Sequence, residues 1–178
     1  MGLGVPPGET SRSTGKEDAS GGFVVTDSVS DHGTFMRCTR KENSMEFVIY
    51  PIGVVRSCLM DRSQCPNQGD QGAPEAWIDI DPKYAEAVDG LKPGTEIIIL
   101  TWMHLADRSV LSVHPKGDQR NPLTGVFRTR SADRPNPIGL HRTTIMAVDA
   151  GTRLLVKPLE VVHETPVVDI KCVLDKGD

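Results

Sequence analysis

Aromatic side chains are scarce. Two Trp, two Tyr and four Phe among 178 residues are too few for the stacking platforms on which single-strand nucleic-acid binders rely. No strong excess of charge exists either: 20 basic and 24 acidic residues leave a formal charge of −4, which argues against a globally basic nucleic-acid binder. Uncharged apolar runs are short. The longest, Phe47–Val55 and Ile97–Leu100, are strand-sized, well under the ~18 residues of a membrane span, and no basic-then-apolar secretory signal opens the chain. The four cysteines, Cys38, Cys58, Cys65 and Cys172, form no C-x-x-C pair and no zinc spacing. They read as free, buried thiols of a reducing compartment, with a Cys58–Cys65 bridge as the alternative. A cytoplasmic protein without a metal is the expectation. The P-loop, G-x-G-x-x-G, H-E-x-x-H and G-x-S-x-G signatures are also missing, which argues against P-loop and dinucleotide enzymes.

What is present begins with an uneven charge distribution. Residues 45–107 carry four basic and ten acidic side chains, whereas residues 108–142 carry seven basic and two acidic. A local basic stripe on an acidic chain suits a localised anionic partner, although a solvated surface patch has the same composition. Residues 1–44 are rich in Gly, Ser and Thr and show no apolar periodicity. They read as a flexible extension unable to bury enough apolar surface to offset its ordering entropy. The domain is expected over 45–178. There, short β-branched runs alternate with Gly, Pro and Asp turns. Strands are predicted at Phe47–Arg56, Ala76–Ile80, Thr95–Met103, Val110–His114, Gly125–Arg130, Leu140–Asp149, Arg153–Val156 and Val167–Val173, with a short helix at Pro82–Asp89. This is a mainly β pattern with one or two short helices, an all-β sandwich or barrel. The absence of a βαβα alternation argues against a doubly wound nucleotide fold.

The densest polar constellation is Thr129-Arg130-Ser131-Ala132-Asp133-Arg134-Pro135-Asn136-Pro137-Ile138-Gly139-Leu140. If Gly125–Arg130 is a strand, its period of two puts Val126, Arg128 and Arg130 on one face. Guanidinium forks there suit a carboxylate or phosphate. The two prolines stiffen the loop and hold Arg134 and Asn136 in extended geometry. Smaller clusters stand at Cys65-Pro66-Asn67-Gln68-Gly69, at His104 beyond the Thr95–Met103 run, and at His163-Glu164-Thr165-Pro166. Each alone fits a plain structural loop as well as a site.

Together they resemble the TrmO/TsaA family of S-adenosylmethionine-dependent methyltransferases, which act on N6-threonylcarbamoyladenosine in tRNA. The resemblance runs from about Phe47 to Val173. Its pieces are Tyr50-Pro51-Ile52-Gly53-Val54-Val55-Arg56-Ser57, Pro66-Asn67-Gln68-Gly69, Gly125-Val126-Phe127-Arg128-Thr129-Arg130-Ser131, Arg134-Pro135-Asn136-Pro137-Ile138-Gly139-Leu140 and Thr165-Pro166-Val167-Val168-Asp169-Ile170-Lys171. It implies a small non-Rossmann β-barrel, a homodimer, and a cofactor cleft. That cleft would be lined by Pro66, Asn67, Gln68, His104, Leu105, Arg130, Leu140, His163, Glu164, Thr165 and Pro166, with Arg130 on the methionine carboxylate. Arg134, Asn136 and Asp169 are the candidates on the substrate side. Arg108, Lys116, Arg120, Arg128 and Arg142 are the candidates for the anticodon arm. One departure stands out: the family's D-G-T-P loop reads His163-Glu164-Thr165-Pro166 here, with its glycine gone. Methylation of a small molecule and non-catalytic cofactor binding are the alternative functions.

Overall fold

The computed structural model describes residues 23–30, 33–40 and 46–174. The chain divides into two compact units, Met1–Pro51 and Ile52–Asp178. In the first, β1 (Phe23–Ser30), β2 (Gly33–Arg40) and β3 (Glu46–Ile49) form an antiparallel three-stranded sheet in that order. Within residues 1–44, expected to be a mostly flexible extension, β1 and β2 pair antiparallel; residues 1–22, 31–32 and 41–45 lie outside the described ones. The expected single strand Phe47–Arg56 is broken after Ile49, and the second unit begins with β4 (Gly53–Arg56). Pro51 stands in the gap, where a residue without an N–H cannot continue a ladder.

The second unit adds β5 (Ala76–Ile80), β6 (Glu96–Trp102), β7 (Ser112–Val113), β8 (Thr124–Gly125), β9 (Ile138–Asp149), β10 (Arg153–Lys157) and β11 (Pro166–Cys172). Six of these strands run in the order β10-β5-β4-β11-β6-β9, and β9 pairs back onto β10, so the sheet closes on itself. Every described strand pair is antiparallel. The mainly β expectation holds. The helical content differs: among the described residues only 3-10 segments occur, the longest being Pro82–Val88, kinked at Tyr84. Asp81 caps its start through a bond from the Lys83 N–H at 3.0 Å, and Pro82 supplies the fixed φ of a first turn. No helix of the described residues is long and apolar enough to cross a membrane.

Alternation builds the core. Ala76, Ile78 and Ile80 on β5, Ile97 and Ile99 on β6, Ile145 on β9, and Leu154 and Val156 on β10 all point inward and are buried. The interior changes character along β6 and β9. On β9 the inward positions run from Ile145 through Thr143 and His141 to Gly139; on β6 they run from Ile97 and Ile99 to Thr101. Thr101, His141 and Thr143 are 0%, 5% and 2% exposed, so one end of the sheet's interior is lined with buried polar groups, and such groups need partners.

Candidate functional site

A cavity of about 980 Å3 opens at this polar end. Six segments meet around it, within 62–68, 103–106, 113–119, 128–134, 138–141 and 160–165. The 61–68 loop starts with a capping box: Asp61 accepts the Ser63 N–H at 2.8 Å, and the Gln64 amide oxygen accepts the Met60 N–H at 2.7 Å and the Asp61 N–H at 3.1 Å. Arg62 then donates to both oxygens of Asp133, at 2.9 and 2.8 Å, and to the Leu105 carbonyl at 3.0 Å. Asp133 also accepts the Asp107 N–H at 2.8 Å. One carboxylate thus ties three stretches of the rim together.

The expected strand Gly125–Arg130 is not one. β8 ends at Gly125 and a 3-10 turn, Val126–Arg128, follows. Val126 is buried, whereas Arg128 and Arg130 are exposed, so the three share no strand face. The reason lies in Arg134. Its guanidinium donates to the carbonyls of Ser131 (2.8 Å), Val126 (3.0 Å) and Thr129, curling residues 126–134 around itself. Arg134 faces the cavity, but its donors hold the loop rather than reaching outward.

Of the predicted site residues, the structure brings Pro66, Asn67, Gln68, His104, Leu105, Arg130, Arg134, Leu140 and Thr165 to the cavity wall. It does not bring Asn136, Asp169, His163, Glu164 or Pro166 there. Asn136 is exposed beside the buried Pro137. Asp169 is paired with Lys171 at 2.6 Å along β11. Glu164 turns to Arg56 at 3.3 Å. Its φ of 63° falls in the left-handed region that glycine adopts at no steric cost, which gives the glycine expected at this position its physical reason. The His163 Nδ1 is buried without a hydrogen-bond partner among the described residues.

Two predicted-site omissions matter more. His141 and Glu160 both line the cavity. The imidazole Nδ1 lies 2.8 Å from Glu160 Oε1 and Nε2 lies 2.9 Å from Thr101 Oγ1. Glu160 is held in place by the segment after β10, where Leu159 N–H bonds the Pro74 carbonyl at 3.0 Å and Glu164 N–H bonds the Val55 carbonyl at 2.8 Å. Burial pushes the Glu160 carboxyl up, but the hydrogen bond and charge of His141, aided by Arg130, outweigh it and hold it below the ordinary value. A Cβ on Gly139 would come within 2.4 Å of both His141 Nε2 and Thr101 Oγ1, so the glycine makes room for that bond. For Thr101 and His141 the signal lies in inward polar positions on β6 and β9; Glu160, in the segment after β10, carries none.

The thiols differ from expectation. Cys58 and Cys172 are exposed and Cys65 is half-buried, all three free; the Cys38 side chain lies outside the described ones. Burial, together with the charges of Glu160 and Asp61, pushes the Cys65 thiol up, which disfavours the nucleophilic thiolate at this wall. Among the described residues no cluster of three or more His, Cys, Asp or Glu could hold a metal.

The family model for the tRNA-methyltransferase O N-terminal domain matches residues 54–178. The chain belongs to this family. A relative from Methanothermobacter thermautotrophicus, named "Probable S-adenosyl-L-methionine-binding protein", is 43% identical over 129 residues, 72% of this chain and 91% of the relative. The S-adenosyl-L-methionine-binding protein of Archaeoglobus fulgidus is 39% identical over 124 residues, 70% of this chain and 87% of its own length. Among solved structures, TrmO from Pseudomonas aeruginosa superposes with a TM-score of 0.60 at 30% identity, covering 78% of this chain. This chain spans 59% of the length of that solved chain.

Proposed function

We propose that this family member is an S-adenosylmethionine-dependent methyltransferase acting on N6 of threonylcarbamoyladenosine beside the anticodon of tRNA. The observation that carries the reading is the convergence on one cavity of Arg130, the amides of Asn67 and Gln68, and apolar walls from Leu105, Leu140 and Val162. The residues fit the cofactor. Arg130 lines the cavity and makes no hydrogen bond among the described residues, so its planar fork is available for an amino-acid carboxylate. The Gln68 amide N–H donates to the Asn67 carbonyl at 2.7 Å, which fixes the amide and leaves its oxygen as an acceptor for a purine amine or a ribose hydroxyl. The volume is near the upper end for ligand pockets, enough for the cofactor and the group to be methylated. When bound, the cofactor supplies an already activated methyl group, so the protein's contribution is alignment.

Substrate charge is met at the rim. Of the five basic residues predicted for the anticodon arm, Arg120 pairs with Asp118 and Arg142 with Glu96, while Arg108 donates to the Pro135 carbonyl at 3.1 Å and stacks over Trp102. Lys116 and Arg128 line the cavity without a hydrogen bond or ion pair among the described residues; these two are assigned to phosphate. The exposed Leu111, Leu123 and Phe127, the last 82% exposed, are assigned to a homodimer contact, with ~1,200–2,000 Å2 of buried surface expected. Sedimentation as a monomer at micromolar concentration would overturn the dimer. A cytoplasmic location goes with tRNA as substrate.

A second reading, a cofactor-dependent enzyme on a small molecule or a binding module without transfer, draws on the net charge of −4 and on relatives named for binding alone. Calorimetry with S-adenosylhomocysteine, followed by methyl transfer to tRNA from cells lacking this protein, decides between them. Binding with transfer to threonylcarbamoyladenosine supports the first reading; binding without transfer to any tRNA supports the second.

A further inference from the structure

Methylating an N–H nitrogen requires a proton acceptor, and none of the residues predicted for the substrate side supplies one. Asp133 has both oxygens engaged by Arg62 and the Asp107 N–H. His141 has both ring nitrogens engaged, by Glu160 and Thr101. Glu160 is held ionised by His141 and Arg130, which makes it a weak base. His104 stands on the exposed rim.

His114 is different. It lines the same cavity, half-buried, at the end of β7. Its Nδ1 lies 2.7 Å from the Asn121 carbonyl oxygen. A carbonyl only accepts, so Nδ1 carries the proton and the neutral ring has its lone pair on Nε2. No described residue bonds Nε2. The loop that sets this orientation is closed on itself: Asn121 Nδ2 donates to the Pro115 carbonyl at 2.9 Å, and Gly117 N–H donates to the His114 carbonyl at 2.9 Å. Lys116 accepts a left-handed φ of 61° within it, a backbone conformation that side-chain-bearing residues adopt only where the surroundings enforce it.

We propose that His114 is the general base of the methyl transfer, an inference that rests on the methyltransferase reading above. The acceptor nitrogen forms the new N–C bond with its lone pair. The C–S bond breaks with its electrons on sulfur, the sulfonium becoming a neutral thioether, and the N–H proton passes to Nε2 to give an imidazolium. General bases of this kind contribute about 10²–10⁴-fold.

Three measurements test it. Long-range 1H–15N NMR of the full chain, free of cofactor, is expected to show His114 with a protonated Nδ1 and a bare Nε2; an Nε2–H tautomer overturns the proposal. His114→Ala is expected to retain its melting temperature and its S-adenosylhomocysteine affinity within about twofold, to lose about 100-fold or more in single-turnover transfer, and to regain rate with added imidazole. His114→Asn places an amide N–H on Cγ, where Nδ1 stood, so it keeps a donor for the Asn121 carbonyl and preserves the loop; it must be as slow as the alanine variant. Full activity in His114→Asn, with wild-type protein active on the same tRNA, overturns this inference alone. Wild-type protein that binds S-adenosylhomocysteine but methylates no tRNA overturns the proposed function, and the base with it.

Discussion

His141 donates its Nδ1–H to Glu160 across 2.8 Å, joining β9 to the segment that follows β10. The direction is fixed because an ionised carboxylate only accepts, and Nε2 on the other side of the ring lies 2.9 Å from the Thr101 hydroxyl. The two side chains are 4% and 16% exposed, so neither can exchange its partner for bulk water. Glu160→Ala should therefore strand a buried imidazole N–H and cost about 2–4 kcal/mol, read as a shift in urea midpoint at constant slope. Glu160→Gln retains an accepting oxygen and should cost about 1 kcal/mol. Equal losses in the two variants would show that the bond contributes nothing.

Acid should weaken the fold for a related reason. Glu160 is held below the ordinary carboxylate value as described. Asp79 is too: burial raises it, but Arg56 and Arg153, each at 2.9 Å, outweigh that. A carboxyl lowered in the folded state stabilises fully above its unfolded value, and that stability is lost as pH falls through the folded one. Unfolding free energy is thus expected to decline from about pH 5 downward, and Asp79→Asn should flatten the decline. A variant with the wild-type slope against pH would remove Asp79 from the account.

Gly139→Ala tests the space around the buried hydroxyl. Its Cβ would meet His141 Nε2 and Thr101 Oγ1 at 2.4 Å and Met103 Sδ at 3.0 Å, and the ring and the β-branched side chain have little room to retreat. A loss of about 1–3 kcal/mol is expected. Gly125→Ala is the control, since nothing lies within 4 Å of its added Cβ; it should change stability by less than about 0.5 kcal/mol.

How far the sequence could be read follows from the range of the forces involved. Alternation is local, so β5 was legible to the residue and β6, β9, β10 and β11 to within two. Arg134 overrode alternation at 126–128: three carbonyl bonds to one guanidinium are invisible to strand propensity. Arg130, Gln68 and Thr165 stand in contiguous motifs, which local reading can pick out, and the fold places all three on the cavity wall. Glu160 and Thr101 were missed because their partner His141 lies 19 and 40 residues away, and only the closed sheet brings them together. His114 was read as a strand end because nothing local shows that the Asn121 carbonyl, seven residues on, selects its tautomer.

If Lys116 and Arg128 contact phosphates, their loss should be felt in tRNA binding and not in cofactor binding. The Lys116→Ala/Arg128→Ala double variant is expected to flatten the dependence of log affinity on log salt by up to about two counterions. Its affinity for S-adenosylhomocysteine should stay within about twofold. An unchanged salt slope would place the anticodon arm elsewhere on the surface.

Arg130 is the decisive residue for the cofactor. It lies between the 126–128 turn and the Pro135–Pro137 loop and faces the large cavity and a neighbouring one of about 330 Å3. It is exposed and spends no hydrogen bond on the protein, so its removal should leave the fold intact. If its fork pairs with the methionine carboxylate, Arg130→Ala removes a charge-assisted bond worth roughly 2–4 kcal/mol, about 30- to 1,000-fold in affinity. Arg130→Lys should recover only part, because an ammonium is a point charge without the planar pair of donors. Glu160 sharpens the test, since Arg130 helps to hold its carboxyl low, and Arg130→Ala should raise the Glu160 carboxyl as it weakens binding. Calorimetry with S-adenosylhomocysteine on variants of unchanged melting temperature reads the first effect, and 13C NMR titration of the Glu160 carboxyl reads the second. Unchanged affinity in Arg130→Ala would remove this residue from the cofactor site.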